Sequence, residues 1–478
     1  MLPENLLRTV YTQLPYRPNE QQAAVSEVIA RFCSELDTPL EQASLSPTED
    51  RAFVINGYAG TGKTSLISAF VKALNALNVN VVLMAPTGRA AKVFSSYSGF
   101  PASTIHRKIY RHSLHGEVPP LKENKDSNTL YIVDEASMIA SGGDRGSNLL
   151  IDLLTYVYAG TNNRLILMGD TAQLPPVGDI ESPAMDKNEL KNLGLKVSSA
   201  TLTRVVRQGV RSGILANAVN IRREMIERPT HVPVPIVNGF NDVHTVTAED
   251  LPEVIDSAYR TVGIDDTIII TRSNKRAADF NRAIRNQVFY YEEELVKGES
   301  IMIVKNNYYW TRKAKRKDPD FLANGDIVRI TRIISTETRY GFRFADVEIV
   351  PVDWQDGTAE IEPLQVKIFL DTLDSDYPNL PSDRMQQLFE RMVRKDYAEC
   401  SDPQRALAED PYWNALQAKY AYCVTCHKAQ GGQWSQVIVD IAYINPEAVG
   451  PELYRWMYTA TTRARHTLTY LTDRESYT

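Results

Sequence analysis

Short apolar runs that end in polar clusters recur along the chain, the pattern expected of buried parallel strands delivering residues to one edge of a sheet. Phe53-Val54-Ile55 precedes a glycine-rich turn, residues 66–77 have helical spacing, and residues 79–85 read as a buried strand ending at Pro86-Thr87-Gly88-Arg89. Residues 130–133 lead into Asp134-Glu135, and residues 164–168 into Gly169-Asp170-Thr171-Ala172-Gln173. This alternation predicts a doubly wound α/β domain that binds its ligand at the carboxyl ends of the strands. A second series starts near residue 201: residues 267–270 form a β-branched strand ending in Thr271-Arg272-Ser273-Asn274, a helix runs on through Arg285, and residues 437–441 and 468–471 read as further strands. Between the parts of that second domain, residues 294–414 change character to short strands at 326–330, 344–349 and 366–370, with a helix over 383–397. They predict a small β-rich insertion carrying a helical arm. A shorter break at 95–128 interrupts the first domain, and its 112–125 portion, rich in Gly, Pro and mixed charge, reads as a projecting hairpin or a loop. The expected divisions are therefore 1–94 with 129–200, an insertion at 95–128, then 201–293 with 415–478, and an insertion at 294–414.

Composition narrows the class without naming the function. At 478 residues the chain is long for one hydrophobic core, and 43% hydrophobic with 23% charged residues is ordinary globular composition. No apolar run is long enough to cross a bilayer, and the first 21 residues lack the basic start and apolar middle of a secretion signal, so a cytoplasmic protein is expected. Four cysteines make no disulfide framework, and Cys423 and Cys426 form a lone CxxC with no second pair, which favours packing over metal or redox chemistry. A net charge of −6 excludes a chain coated in positive charge but leaves room for a local channel. The densest basic segment runs from Arg312 to Lys317, one residue after Asn306-Asn307-Tyr308-Tyr309-Trp310. Cations beside rings suit a single-stranded nucleic acid, and a solvated loop suits the same residues.

Candidate chemistry gathers at the strand ends. Gly57-Tyr58-Ala59-Gly60-Thr61-Gly62-Lys63-Thr64-Ser65, between a strand and a helix, is a nucleoside-triphosphate P-loop. Its backbone N–H groups, including those at Gly57, Gly60, Thr61 and Gly62, surround phosphates, Lys63 reaches the outer ones, and the Thr64 hydroxyl stands where Mg²⁺ is held. Asp134 and Glu135 can divide labour, one carboxylate toward Mg²⁺ and the other toward the attacking water. Gln173, on the loop after a neighbouring strand, is placed to sense the terminal phosphate.

Ten motifs follow in fixed order: PNEQQAAV, GYAGTGKT, APTGRAAK, STIHR, VDEASM, GDTAQLPPV, LTRVVRQ, TRSN, TCHKAQGGQW and YTATTRAR. The chain resembles superfamily 1 helicases over residues 19–465, and within them the branch containing RecD and Dda, whose members move 5′ to 3′ on single-stranded DNA. The resemblance implies two tandem RecA-like domains with ATP between them, an SH3-like subdomain for the β-rich insertion, and a strand-separating pin at 95–128. It further implies that Gln22, with Gln21 an equal fit to the motif, contacts adenine; that Gly432 belongs to the nucleotide site; and that Arg207 and Arg463 stabilise charge during phosphoryl transfer. Pro86, Thr87, Arg89, His106, Asn274, Thr425, His427 and Lys428 would line the DNA track. No aromatic stands at the centre of the expected pin, where Tyr110, His112 and His115 are the available rings.

The activity this resemblance implies is an ATP- and Mg²⁺-dependent DNA helicase for which a monomer suffices. Its substrates would be single-stranded DNA and tailed or forked duplex, with replication or single-strand-binding proteins as candidate partners. Two readings compete: a single-strand-binding protein that ATP only regulates, and the helicase subunit of a larger repair or recombination nuclease.

Overall fold

The computed structural model describes residues 3–34, 51–111, 120–142, 148–205, 212–227, 230–315, 322–352, 362–442 and 444–473. They fall into two compact units: residues through Glu227 together with 430–432, and the remainder.

The first unit is built on a six-stranded sheet. In chain order it contains α1 (Pro3–Gln13), α2 (Glu20–Ser34), β1 (Arg51–Gly57), α3 (Lys63–Ala76), β2 (Asn80–Ala85), α4 (Gly88–Ser98), β3 (Ala102–Thr104), α5 (Ile105–Ile109), β4 (Thr129–Val133), α6 (Leu149–Tyr158), β5 (Arg164–Gly169), α7 (Lys187–Asn192), β6 (Lys196–Leu202) and α8 (Gly213–Glu227). The strands are all parallel in the order β3-β2-β4-β5-β1-β6. Because successive side chains of a strand face opposite ways, β1 serves two cores. Phe53 and Ile55 pack with α1, α2 and α3, while Ala52 and Val54 join the cluster containing α5 and α6. Near-continuous apolar runs in the sequence follow directly from this two-sided burial.

The first unit extends past the expected break at residue 200. β6 pairs with β1 up to Leu202, and α8 groups with this unit. Part of the expected insertion at 95–128 also belongs to the sheet, because β3 pairs with β2 as its edge strand. Beyond it the chain does turn back, with Tyr110 bridging Leu121 in antiparallel fashion. Residues 112–119, with His112 and His115, lie outside the described residues.

The second unit contains β7 (Val243–Val246), α9 (Leu251–Thr261), β8 (Thr267–Thr271), α10 (Asn274–Ala283), β9 (Ser300–Ile303), α11 (Tyr309–Lys313), β10 (Ile327–Arg339), β11 (Phe342–Pro351), β12 (Leu364–Phe369), α12 (Ser382–Asp396), α13 (Pro403–Leu407), β13 (Leu416–Tyr420), β14 (Cys423–Thr425), α14 (Cys426–Ala429), β15 (Trp434–Asp440), α15 (Pro451–Thr461) and β16 (Ala464–Leu471). A parallel sheet in the order β14-β8-β15-β16-β7 is joined by a closed barrel, β10-β11-β12-β13-β9. The fold is thus α/β with two parallel sheets and a β-rich insertion in the second. The barrel's fifth strand, β13, falls after the expected end of the insertion at 414.

Barrel and sheet share one core, which includes Ile269 and Ile438 of the sheet and Ile301, Val328 and Val347 of the barrel. At their junction Arg285 makes a buried ion pair with Glu299 (2.7 Å), and Glu299 also accepts the Tyr422 hydroxyl (3.0 Å). The aromatic segment expected to stack on bases is internal instead. Tyr309 and Trp310 are buried, and the Trp310 indole donates to the Asn414 carbonyl at 2.9 Å. Lys313 lies over both rings, so the cation-beside-aromatic pattern here is a core pair with a lysine stem across it. Arg316 and Lys317 lie outside the described residues.

Candidate nucleotide and nucleic-acid sites

Three adjacent strand ends in the first unit bring the candidate nucleotide residues together. β1 runs into the P-loop, where Gly60 and Gly62 take φ of 75° and 76°, a left-handed conformation that side chains strain to adopt. A Cβ at Gly62 would stand 2.6 Å from the Tyr16 hydroxyl and 2.7 Å from Gln22 Nε2, so the loop approaches the start of α2 as closely as glycine permits. Thr61 closes the turn by donating its hydroxyl to the Tyr58 carbonyl (2.8 Å). Lys63 Nζ donates to the Gly57 carbonyl (3.3 Å), and Thr64 follows in the first turn of α3.

The structure distinguishes the two glutamines of the first motif. Gln22 is buried and donates to the Thr61 carbonyl (3.0 Å) and the Tyr16 hydroxyl (3.3 Å), while its own oxygen accepts the Asn19 N–H (3.2 Å). Gln21 turns to the end of β6, donating to the Thr201 carbonyl (3.0 Å) and accepting the Thr203 N–H (2.9 Å). Next to Gln22 in the chain, Tyr11, Leu14, Tyr16, Arg17, Pro18 and Ala23 are among the residues lining an open cavity of about 700 Å³. Tyr16 was missed in the sequence because it precedes the motif.

β4 ends in the paired carboxylates. Asp134 is buried and accepts the Glu135 N–H (2.8 Å). Burial and the neighbouring Glu135 charge push its pKa up, and Lys63 opposes them. Glu135 holds φ of 53°, uncommon for a side chain and a form of strain that clusters at working sites. Its Oε2 is buried without a hydrogen-bond partner among the described residues, as is Gln173 Oε1 on the loop after β5. An unpaired buried acceptor costs about 1–3 kcal/mol, so two of them within one constellation suit a ligand that brings donors. Thr64, Asp134 and Lys63 are the hydroxyl, carboxylate and ammonium that a Mg²⁺–triphosphate calls for. Gly57 and Ser65 flank these residues in the same segment, and Gly432 is buried and groups with the first unit. Arg207 lies outside the described residues.

Candidate nucleic-acid residues occupy strand ends in both units. In the first, Pro86 and Thr87 follow β2; Thr87 caps α4 by accepting the Ala90 N–H (3.2 Å), with Arg89 in the opening turn. His106 lies in α5, its ring 5.5 Å from Tyr110, and burial lowers its pKa. In the second, β8 and β14 are neighbours with Thr271 opposite Thr425. Asn274 opens α10 and His427 and Lys428 lie in α14, so both loops leave the same edge. The Lys428 ammonium donates to Asn324.

Arg463 is buried where α15 meets β16, donating to the Thr459 carbonyl (3.0 Å) and the Thr462 hydroxyl (3.1 Å). Cys423 and Cys426 are buried as well; Cys426 Sγ approaches the Trp456 carbonyl at 3.6 Å, and burial raises its pKa to about 12, so it stays a thiol. Both cysteines are packing groups.

Residues 42–232 match the AAA domain model, and residues 420–470 match the UvrD-like helicase C-terminal domain model. The chain is 36% identical over 174 residues to the ATP-dependent RecD2 DNA helicase of Deinococcus radiodurans, a match covering 35% of this chain and 21% of that longer protein. It is 27% identical over 437 residues to the ATP-dependent DNA helicase dda of Enterobacteria phage T4, covering 87% of this chain and 93% of the relative. Among solved structures, the Pif1 helicase from Bacteroides in complex with ADP-AlF3 and ssDNA aligns over 96% of this chain and 93% of its own, at 15% identity and a TM-score of 0.46. With its motifs in order across both units and both family models matched, the chain belongs to the superfamily 1B helicases of the RecD and Dda branch.

Proposed function

We propose that this protein is an ATP-dependent DNA helicase that moves 5′ to 3′ along single-stranded DNA and unwinds duplex ahead of it. The observation that carries the proposal is the convergence of Lys63, Asp134, Glu135 and Gln173 at neighbouring strand ends, with two buried acceptors left unpaired. The direction rests on the family.

In this reading Lys63 and the P-loop N–H groups hold the triphosphate, and the cavity beside Gln22 receives the base. Thr64 and Asp134 would hold Mg²⁺, which when bound neutralises charge on the phosphate oxygens. Glu135 orients the attacking water and takes its proton as the bond from the terminal phosphorus to ADP breaks. Gln173 senses the terminal phosphate, and the family resemblance assigns to Arg207 and Arg463 the stabilising of charge that spreads over its oxygens. Thr87, Arg89 and His106 in one unit form one candidate grip on single-stranded DNA, and Asn274, Thr425, His427 and Lys428 in the other form a second. Backbone N–H groups at the starts of α4 and α10 favour phosphates, which makes the grip independent of sequence.

Matched duplexes bearing a 5′ or a 3′ single-stranded tail test activity and direction together. Unwinding from the 5′ tail alone, with ATP, is expected. Unwinding from the 3′ tail alone refutes the direction, and unwinding of neither leaves an ATP-regulated binding protein.

A further inference from the structure

The residue just before the P-loop carries a side chain that nucleotide binding does not use. Asn56 Nδ2 donates to the Thr171 hydroxyl (3.0 Å), and Asn56 Oδ1 accepts the Thr171 N–H (3.2 Å). The pair is reciprocal and fixes the amide orientation, since reversing it would set a donor against the Thr171 N–H. Strand register aligns Asn56 with Gly169, so the contact closes the last rung between β1 and β5.

Thr171 is the corner of the turn that presents Gln173. The Asp170 carbonyl accepts the Gln173 N–H (3.2 Å), and Asp170 Oδ1 accepts the Ala172 N–H (2.9 Å). The turn therefore satisfies its own later N–H groups, while its corner is held from β1. On the other side, the carbonyl of the very next residue, Gly57, accepts Lys63 Nζ. Two consecutive residues at one strand end thus hold the phosphate-binding lysine and the turn of the candidate phosphate sensor.

We propose that Asn56 is a positioning residue that sets the Gln173 turn against the P-loop, so that the Gln173 amide meets the terminal phosphate and attacking water in register. The inference rests on the ATP-hydrolysing reading of the site. Asn56 acts only through Thr171, and a misplacement of about 1 Å at such a site is enough to cost about 100-fold in rate.

The test uses the full chain with single-stranded DNA. Single-turnover ATP hydrolysis, equilibrium affinity for a fluorescent ATP analogue and thermal melting are compared for Asn56→Ala, Thr171→Val, Thr171→Ser, Gln173→Ala and the Asn56→Ala/Gln173→Ala double variant. Asn56→Ala and Thr171→Val should slow hydrolysis by about 10- to 100-fold with nucleotide affinity held within about threefold. Thr171→Ser, which keeps the hydroxyl, should restore the rate, and the double variant should be no slower than Gln173→Ala. Thr171→Val carries the test if Asn56→Ala folds poorly. Multiplying effects in the double variant, equal losses of rate and affinity, or an undiminished rate in Asn56→Ala and Thr171→Val each overturn the inference while the proposed function stands. A wild-type chain that hydrolyses no ATP removes both.

Discussion

The two parallel sheets use one device and give it opposite chemistry. In each, a strand ends at a capped helix start: Thr87 accepts the Ala90 N–H after β2, and Ser273 accepts the Arg276 N–H after β8, both at 3.2 Å. The first sheet adds a half-buried ammonium beside a buried carboxylate, with two buried acceptors that have no donor among the described residues. The second offers an amide, hydroxyls, an imidazole and an ammonium, and its candidate set at β8 and β14 holds no carboxylate. In the proposed function one site makes and breaks charge and the other holds an anion. Architecture supplies the positions, and the side chains decide the work done at them.

The largest expected effect lies at the first sheet. Glu135→Gln keeps size and polarity but cannot take a proton, so single-turnover hydrolysis should fall by about 10²–10⁴-fold with ATP still bound. A fall of equal size in ATP affinity would make Glu135 a binding group and blur the contrast. Next comes a control in the second unit that concerns folding alone. Glu299→Ala would strand the Arg285 guanidinium in a buried site, a loss of about 3–5 kcal/mol in urea unfolding. Less than 1 kcal/mol would mean that solvent reaches the pair.

A smaller effect is expected at Lys428, where burial, reinforced by the Lys419 ammonium, pulls the pKa from 10.5 down to about 8. Between those values the unfolded chain binds more protons than the folded one, so this group adds stability as pH rises through the window. Anion grip runs the other way: DNA affinity should drop several-fold between about pH 7 and about pH 9, less so in Lys428→Arg, whose charge persists. Identical pH profiles for the two proteins would remove Lys428 from the grip. The smallest effect is at the shared device. Ser273→Ala should cost about 1 kcal/mol of stability, and Thr87→Ala the same, each read by thermal melting.

Much of this was legible in the chain because buried parallel strands are long apolar runs and their ends are polar. β1, β2, β4, β5 and β8 announced themselves in this way. β3, with three residues, is too short to show a period, and β13 follows the helical arm instead of the strands it joins. Tyr309 and Trp310 misled because a ring beside a lysine looks alike whether it faces a base or lies in a core. Asn56 left no mark, since its partner is 115 residues away and only the register of β1 with β5 brings the two together.

The barrel closes by pairing β12 with β13 in parallel, and the helical arm of α12 and α13 is the crossover that parallel pairing demands. Topologically the arm is a long connection between adjoining strands. Lengthening such a connection costs only about 0.6 kcal/mol for each doubling, because closure entropy grows with the logarithm of its length. The exposed turn between the two helices is therefore a place where descent or design can add whole modules while the barrel keeps its register.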